Sequence, residues 1–198
     1  MAAEEAVSQP STMAVDSHDT AICIIPPKHL WPMYDSLRSL YDKAYEKWPP
    51  HLNLVYPFVR VENLPRAASL VASQIQDASL HAIQVRLNAV DVFPRKNDNT
   101  IFVYDDDEER ASRVQQLRNA VLRALGHTSS TNYRMHMTIG QSQHLNSAPH
   151  KFLLDKSALL PEAEWTIDRL YILTRERMQI DGNAFSQMKI WGTSKSCH

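Results

Sequence analysis

Hydrophobic positions along this chain repeat with two different periods, and the changes of period mark the elements. TAICIIPP, from Thr20 to Pro27, is a short apolar run closed by two prolines and predicts a strand. Trp31, Tyr34, Leu37, Tyr41 and Ala44 follow at spacings of three and four, the stripe of a helix. That helix must stop by Trp48, because Pro49 and Pro50 follow. HLNLVYPF, from His51 to Phe58, predicts a second strand. Leu64, Ala67, Val71, Ile75 and Ala78 return to helical spacing, with Asn63 available as N-cap and Pro65 near the first turn.

Alternation over His81 to Ala89 puts Ile83, Val85, Leu87 and Ala89 on one strand face. TIFVYDDD is a strand with an acidic exit, after which Asp105 and Glu108 suit a capping box. The helix they would start carries Ala111, Val114, Leu117, Val121 and Leu125 inward and ends at Gly126. HMTIGQS predicts a strand, residues 147 to 160 a short helix, and WTIDRLYILT one long strand. MQIDGNAFSQMKIW supplies one or two more strands, with a break of alternation between Phe185 and Met188 that predicts a bulge. The order β-α-β-α-β-β-α-β-α-β-β divides into two comparable α/β halves, two sheets with helices packed outside.

Length and composition narrow this picture. The 198 residues, 43% of them hydrophobic, support one domain over 19–192, between a loose tail at 1–18 and a short C-terminal tail at 193–198. A formal net charge of -1 argues against coating long nucleic acid, but leaves room for a nucleotide or RNA end held locally. The two cysteines, Cys23 and Cys197, have no metal-ligand spacing and suggest no disulfide framework. The first residues lack a basic start and an apolar run, and no stretch is long and apolar enough to cross a membrane, so cytoplasm or nucleus is expected. The acids of DDDEE sit where a helix N-terminus welcomes negative charge, which explains them without catalysis.

Candidate chemistry lies in a repeat. His51-Leu-Asn53-Leu54 is echoed by His136-Met-Thr138-Ile139. On a strand, residues two apart share a face, so each strand presents an imidazole beside a hydrogen-bond donor and sends its apolar residues into the opposite layer. Opening a phosphodiester needs a base on the attacking side and an acid on the leaving side. Imidazole suits both tasks, with a reference pKa of about 6.5. Asn53 and Thr138 can donate to the non-bridging oxygens as charge grows there. A histidine metal site is disfavoured, since no carboxylate or cysteine joins either pair at a recognisable spacing. The other histidines, His18, His29, His81, His127, His144, His150 and His198, lie in the tail, at element edges or in polar loops and read as solvated.

At these residues the chain resembles the 2H phosphoesterase superfamily, the group that includes 2'-5' RNA ligase-like proteins and cyclic nucleotide phosphodiesterases. That family is marked by two His-x-Thr/Ser-x motifs. The second copy here matches it, and the first departs in having Asn53 where Thr or Ser is usual. The resemblance spans residues 20 to 192. It implies an α+β, bilobal two-sheet fold with a central cleft, with His51 and His136 as catalytic pair and Thr138 as phosphate donor. The implied reaction is metal-independent opening of a 2',3'-cyclic phosphate on a nucleotide or short RNA end, to a 2'-phosphate, by a monomer without cofactor. Tyr56, Tyr133, Arg134 and Trp191 are candidates for base stacking or phosphate attraction, with Lys28 a further one. Arg134 shares the face of His136 by parity. The alternative is a protein that binds nucleotide or RNA ends without turning them over, and an α/β scaffold for protein partners is a third reading.

Overall fold

In a computed structural model, residues 12–78, 80, 82–128, 133–180 and 183–191 are described. The order is β1 (Thr20–Ile24), α1 (Trp31–Tyr41), β2 (Leu52–Val55), α2 (Leu64–Asp77), β3 (Ile83–Leu87), β4 (Ala89–Phe93), β5 (Asn99–Tyr104), α3 (Glu108–Ala124), β6 (Met137–Ser142), α4 (Ala148–Ala158), β7 (Ala163–Ile167), β8 (Tyr171–Ile180) and β9 (Asn183–Ile190). The class is α+β with open sheets, as the resemblance implies, and the helices lie outside, as the periodicity predicts. The number of sheets is three rather than two: β2-β1-β8-β9, β4-β5-β6 and the pair β3-β7.

The extra sheet arises because two expected strands break. The alternating run from Ile83 ends at Leu87; after Asn88 the chain starts β4 in another sheet. Asn88 is fixed at that corner by its N–H to the Tyr104 carbonyl (3.1 Å) and its side-chain amide to Asp106 (2.6 Å). WTIDRLYILT splits likewise. Trp165 and Ile167 are buried, but the next inward position is Arg169, whose charge pairs with Asp168 in solvent. The chain leaves β3 there and pairs with β1 as β8.

The lobes do not follow the chain halves. The four-stranded sheet joins β1 and β2 to β8 and β9, while β4, β5 and β6 come from the middle of the sequence. Helices α1 and α4 lie on β6, and α2 and α3 pack together, α3 against β3. One contiguous core runs through both lobes, from Ile22 and Leu52 to Val103 and Ile139. Gly140 on β6 is required there: a Cβ at that position would lie 2.6 Å from the Tyr41 Cβ, so the end of α1 could not seat.

Several local expectations are corrected. Helix α1 ends at Tyr41, not near Trp48, and residues 42–50 form turns. Asn63 stands at the N-cap of α2 as expected, but makes no side-chain cap bond. Asp107, not Asp105, caps α3, accepting from the Arg110 N–H at 2.8 Å. Asp105 is buried and takes the Arg110 guanidinium; burial pushes its pKa up, but Arg110 and backbone donors outweigh this and hold it below the usual range. Pairing is regular from Phe185 to Met188, and the register shifts lie instead at Ile22/Cys23 and Ile101/Phe102. Residues 12–18 are not loose: Met13 is buried, its N–H bonds the Leu125 carbonyl, and Ser17 bridges Phe58. His150 is buried against Ser142, and the His127 ring bonds the Met13 carbonyl, so neither is solvated. His18, His29 and His144 are exposed; His81, His198, Cys197 and residues 192–198 lie outside the described residues.

Candidate active site

Both histidine motifs lead into edge strands, His51 standing one residue before β2 and His136 one residue before β6. β2 pairs only with β1 and β6 only with β5 among the described strands, and the two edges approach each other between the sheets. Leu52, Leu54, Met137 and Ile139 are buried, so the polar positions of each motif face away from the core as alternation requires.

Each ring is latched in the same way. His51 Nδ1 lies 2.7 Å from the Pro49 carbonyl and His136 Nδ1 lies 2.8 Å from the Arg134 carbonyl, in each case two residues back. A carbonyl oxygen only accepts, so Nδ1 carries the proton and Nε2 is left as the basic nitrogen of each neutral ring.

The surroundings then diverge. His51 stacks on Trp48, centroids 4.7 Å apart and planes 20° from parallel. Burial pushes its pKa down to about 4; the Pro49 carbonyl and Asp42 oppose this, while Arg38 and His136 add to it. Behind Trp48 stands a buried ion pair. Arg38, 2% exposed, donates to Asp42 at 2.9 Å and to the Trp48 carbonyl at 3.0 Å. Asp42 also accepts from Gln141 on β6 at 3.3 Å, so the platform under His51 is tied to the strand of His136. His136 instead meets ring edges, Phe93 at 4.9 Å and Phe102 at 5.1 Å. Its pKa is also lowered, by burial first, opposed by the Arg134 carbonyl and assisted by the charges of Arg95 and Arg134.

A model of the 2'-5' RNA ligase superfamily matches residues 26–179. The chain belongs to that superfamily. Among solved structures it is similar to E. coli LigT complexed with 3'-AMP, with a TM-score of 0.56 at 12% identity, covering 89% of this chain and 98% of that one. E. coli LigT complexed with ATP gives 0.53 at 13% identity over 88% and 96%, and LigT with NADP+ gives 0.53 at 12% over 89% and 97%. At such identities the likeness establishes the fold alone. No curated protein matches the chain significantly. Phosphoesterase-type chemistry on nucleotide or RNA phosphates is the activity that superfamily membership supports.

For this superfamily member, the remaining sequence candidates fall unevenly. Thr138 is half-buried on β6 and its hydroxyl has no partner among the described residues. The Asn53 amide oxygen accepts from the Cys23 thiol at 3.2 Å, which turns the amide nitrogen the other way. Tyr133 donates to the Asn53 carbonyl at 2.7 Å, bridging β2 and the segment before β6. Tyr56 meets Trp48 edge-on at 5.3 Å and reaches His51 only through it. Trp191 follows β9, at the opposite edge of the sheet from β2, and Lys28 is exposed ahead of α1. Arg134 lies over the Tyr104 ring at 4.2 Å and pairs with Asp91 at 2.7 Å.

Periodicity gave no sign of Trp48, Arg38, Phe93, Arg95 or Arg118. A charged residue inside an apolar helical stripe, as Arg38 stands between Leu37 and Tyr41, was the one available signal. Among the described residues no group of three or more His, Cys, Asp or Glu is gathered that would hold a metal, and no helix is long and apolar enough to cross a membrane.

Proposed function

We propose that this protein is a metal-independent phosphodiesterase that opens a 2',3'-cyclic phosphate on a nucleotide or RNA end, with His51 and His136 as general base and general acid. One Nε2 takes a proton from water as the water oxygen attacks phosphorus. The other Nε2–H gives a proton to the departing 3'-oxygen, leaving a 2'-phosphate. The Thr138 hydroxyl and the Asn53 amide donate to non-bridging oxygens as phosphorus becomes five-coordinate. The observation that supports this reading is the matched latch just ahead of two edge strands that contact each other, which leaves Nε2 as the basic nitrogen of each ring. Both pKa values are lowered, so both rings are neutral at pH 7 in the free protein. The acid therefore gains its proton as the phosphate anion enters. Complexes of E. coli LigT with 3'-AMP, ATP and NADP+ support a ligand of nucleotide size.

The test offers 2',3'-cyclic nucleotides to purified protein with excess chelator and identifies the product by phosphorus NMR. Turnover to a 2'-phosphate is expected, and His51→Ala and His136→Ala should each lower kcat by about 10²–10⁴. Full rates in both variants, or a rate abolished by chelator, would sink this reading. The departure at Asn53 favours a second one, a binder of phosphate-ended RNA. That protein would bind such ends, give no product on long incubation, and gain turnover with Asn53→Thr.

A further inference from the structure

His136 opens onto a pocket of about 520 Å³ whose walls include Phe93, Arg95, Arg118, Tyr133 and Arg134. Three arginines line it and no acidic residue does. Arg134 lies over the Tyr104 ring and pairs at one nitrogen with Asp91, which leaves further N–H groups of the fork for other acceptors. Arg118 is anchored by its Nε to the Leu54 carbonyl at 3.1 Å and lies over the Tyr133 ring at 5.2 Å. Arg95 is exposed and has no ion-pair partner among the described residues, yet its charge reaches His136. Positive charge gathered beside an imidazole that must become protonated opposes catalysis in the empty protein. An anion seated in the pocket removes that opposition.

We propose that this pocket holds a second phosphate of the substrate, the one on the 5' side of the reacting nucleotide, with Arg95 as its principal ligand and Arg134 in support. The inference rests on the reading of the histidine pair as the reacting centre, and it names the substrate class. The preferred substrate carries a phosphate one nucleotide step from the scissile one, as an RNA end or a 5'-phosphorylated nucleotide does. A nucleoside cyclic phosphate with a free 5'-hydroxyl does not. The scissile phosphate has its own donors on β2 and β6, so the arginines are not needed to explain it. Phe93 adds an apolar wall suited to a base or ribose.

Three substrates with the same base decide the matter: a nucleoside 2',3'-cyclic phosphate, its 5'-phosphorylated form, and a dinucleotide ending in the cyclic phosphate. The 5'-phosphate should raise kcat/KM by about tenfold, the worth of a charge-assisted hydrogen bond. Arg95→Ala should collapse that ratio to within about twofold of one, whereas Arg95→Lys should keep part of it. Comparing the dinucleotide with the 5'-phosphorylated mononucleotide tells an RNA end from a free nucleotide. A wild-type ratio near one, or a preference that survives Arg95→Ala, overturns the proposal. Calorimetry gives a readout independent of turnover: a nucleoside 3',5'-bisphosphate should bind about tenfold tighter than the 3'-monophosphate, and Arg95→Ala should erase the difference. Should no cyclic phosphate be turned over while this binding difference holds, the hydrolase reading fails and the second phosphate site stands. Equal binding of the two nucleotides overturns the site.

Discussion

The β2 and β6 edges carry nearly the same four-residue pattern and the same carbonyl latch, but they are walled by different chemistry. His51 rests on an indole whose backbone is clamped by a buried Arg38–Asp42 pair. His136 stands between phenylalanine edges at the mouth of an arginine-lined pocket. One arginine is therefore structural and sealed, while those lining the His136 pocket are half-exposed or exposed. The lesson is that a carbonyl two residues back fixes which nitrogen each ring presents, and the wall behind the ring sets how readily it takes a proton.

The comparison can be broken most forcefully at its two arginines. Arg38→Met leaves Asp42 buried without its cation and should cost about 3–5 kcal/mol of stability, whereas Arg134→Met removes an exposed pair and should cost less than about 1 kcal/mol. Urea midpoints of the two variants measure this directly; equal losses would mean that the two walls do not differ as described.

Acid should expose the next difference. In both rings the folded pKa lies below the unfolded value of about 6.5, so the unfolded chain binds protons that the folded chain refuses. Stability is thus complete above about pH 6.5 and is lost as pH falls toward about 4 at His51. Its share is on the order of 2–3 kcal/mol, and His51→Gln should remove that share of the pH dependence. An unchanged slope in the variant would contradict the lowered pKa. By the same signs kcat/KM should peak on the acid side of pH 6.5, because the imidazole that must be protonated loses its proton below that value.

The smallest effect sharpens the link between the sides. Tyr133→Phe deletes the bond from β6's leading segment to the Asn53 carbonyl and should cost about 1 kcal/mol. If that bond also sets the spacing of the two strands, cyclic-phosphate turnover should fall while the fold survives. A midpoint and a rate both at wild-type values would show that the bridge does not matter.

Much of this was legible in the chain. Alternation at Leu52, Leu54, Met137 and Ile139 sends these residues inward, and the histidines with Asn53 and Thr138 fall on the other face for that reason alone. Gly126, at φ 82, ends α3 as its position suggests. What was not legible depends on partners distant in sequence. No local period says that the strand from Ile83 must change sheets at Asn88, or that Arg169 would turn β7 away from β8. Nor does it say that Arg38 finds Asp42 and the Trp48 carbonyl inside the protein, that His150 meets Ser142, or that Met13 returns to Leu125.

Sequence by itself determined the four helices, most of the strands and the placing of an imidazole beside a donor at two matching positions, because residue spacing and strand parity are local properties. Tertiary structure alone decided that both strands are edges facing each other, and that a tryptophan and a buried ion pair stand behind one ring. It alone also set three arginines beside the other ring. Those are long-range contacts, and their charges and burial act through space rather than along the chain.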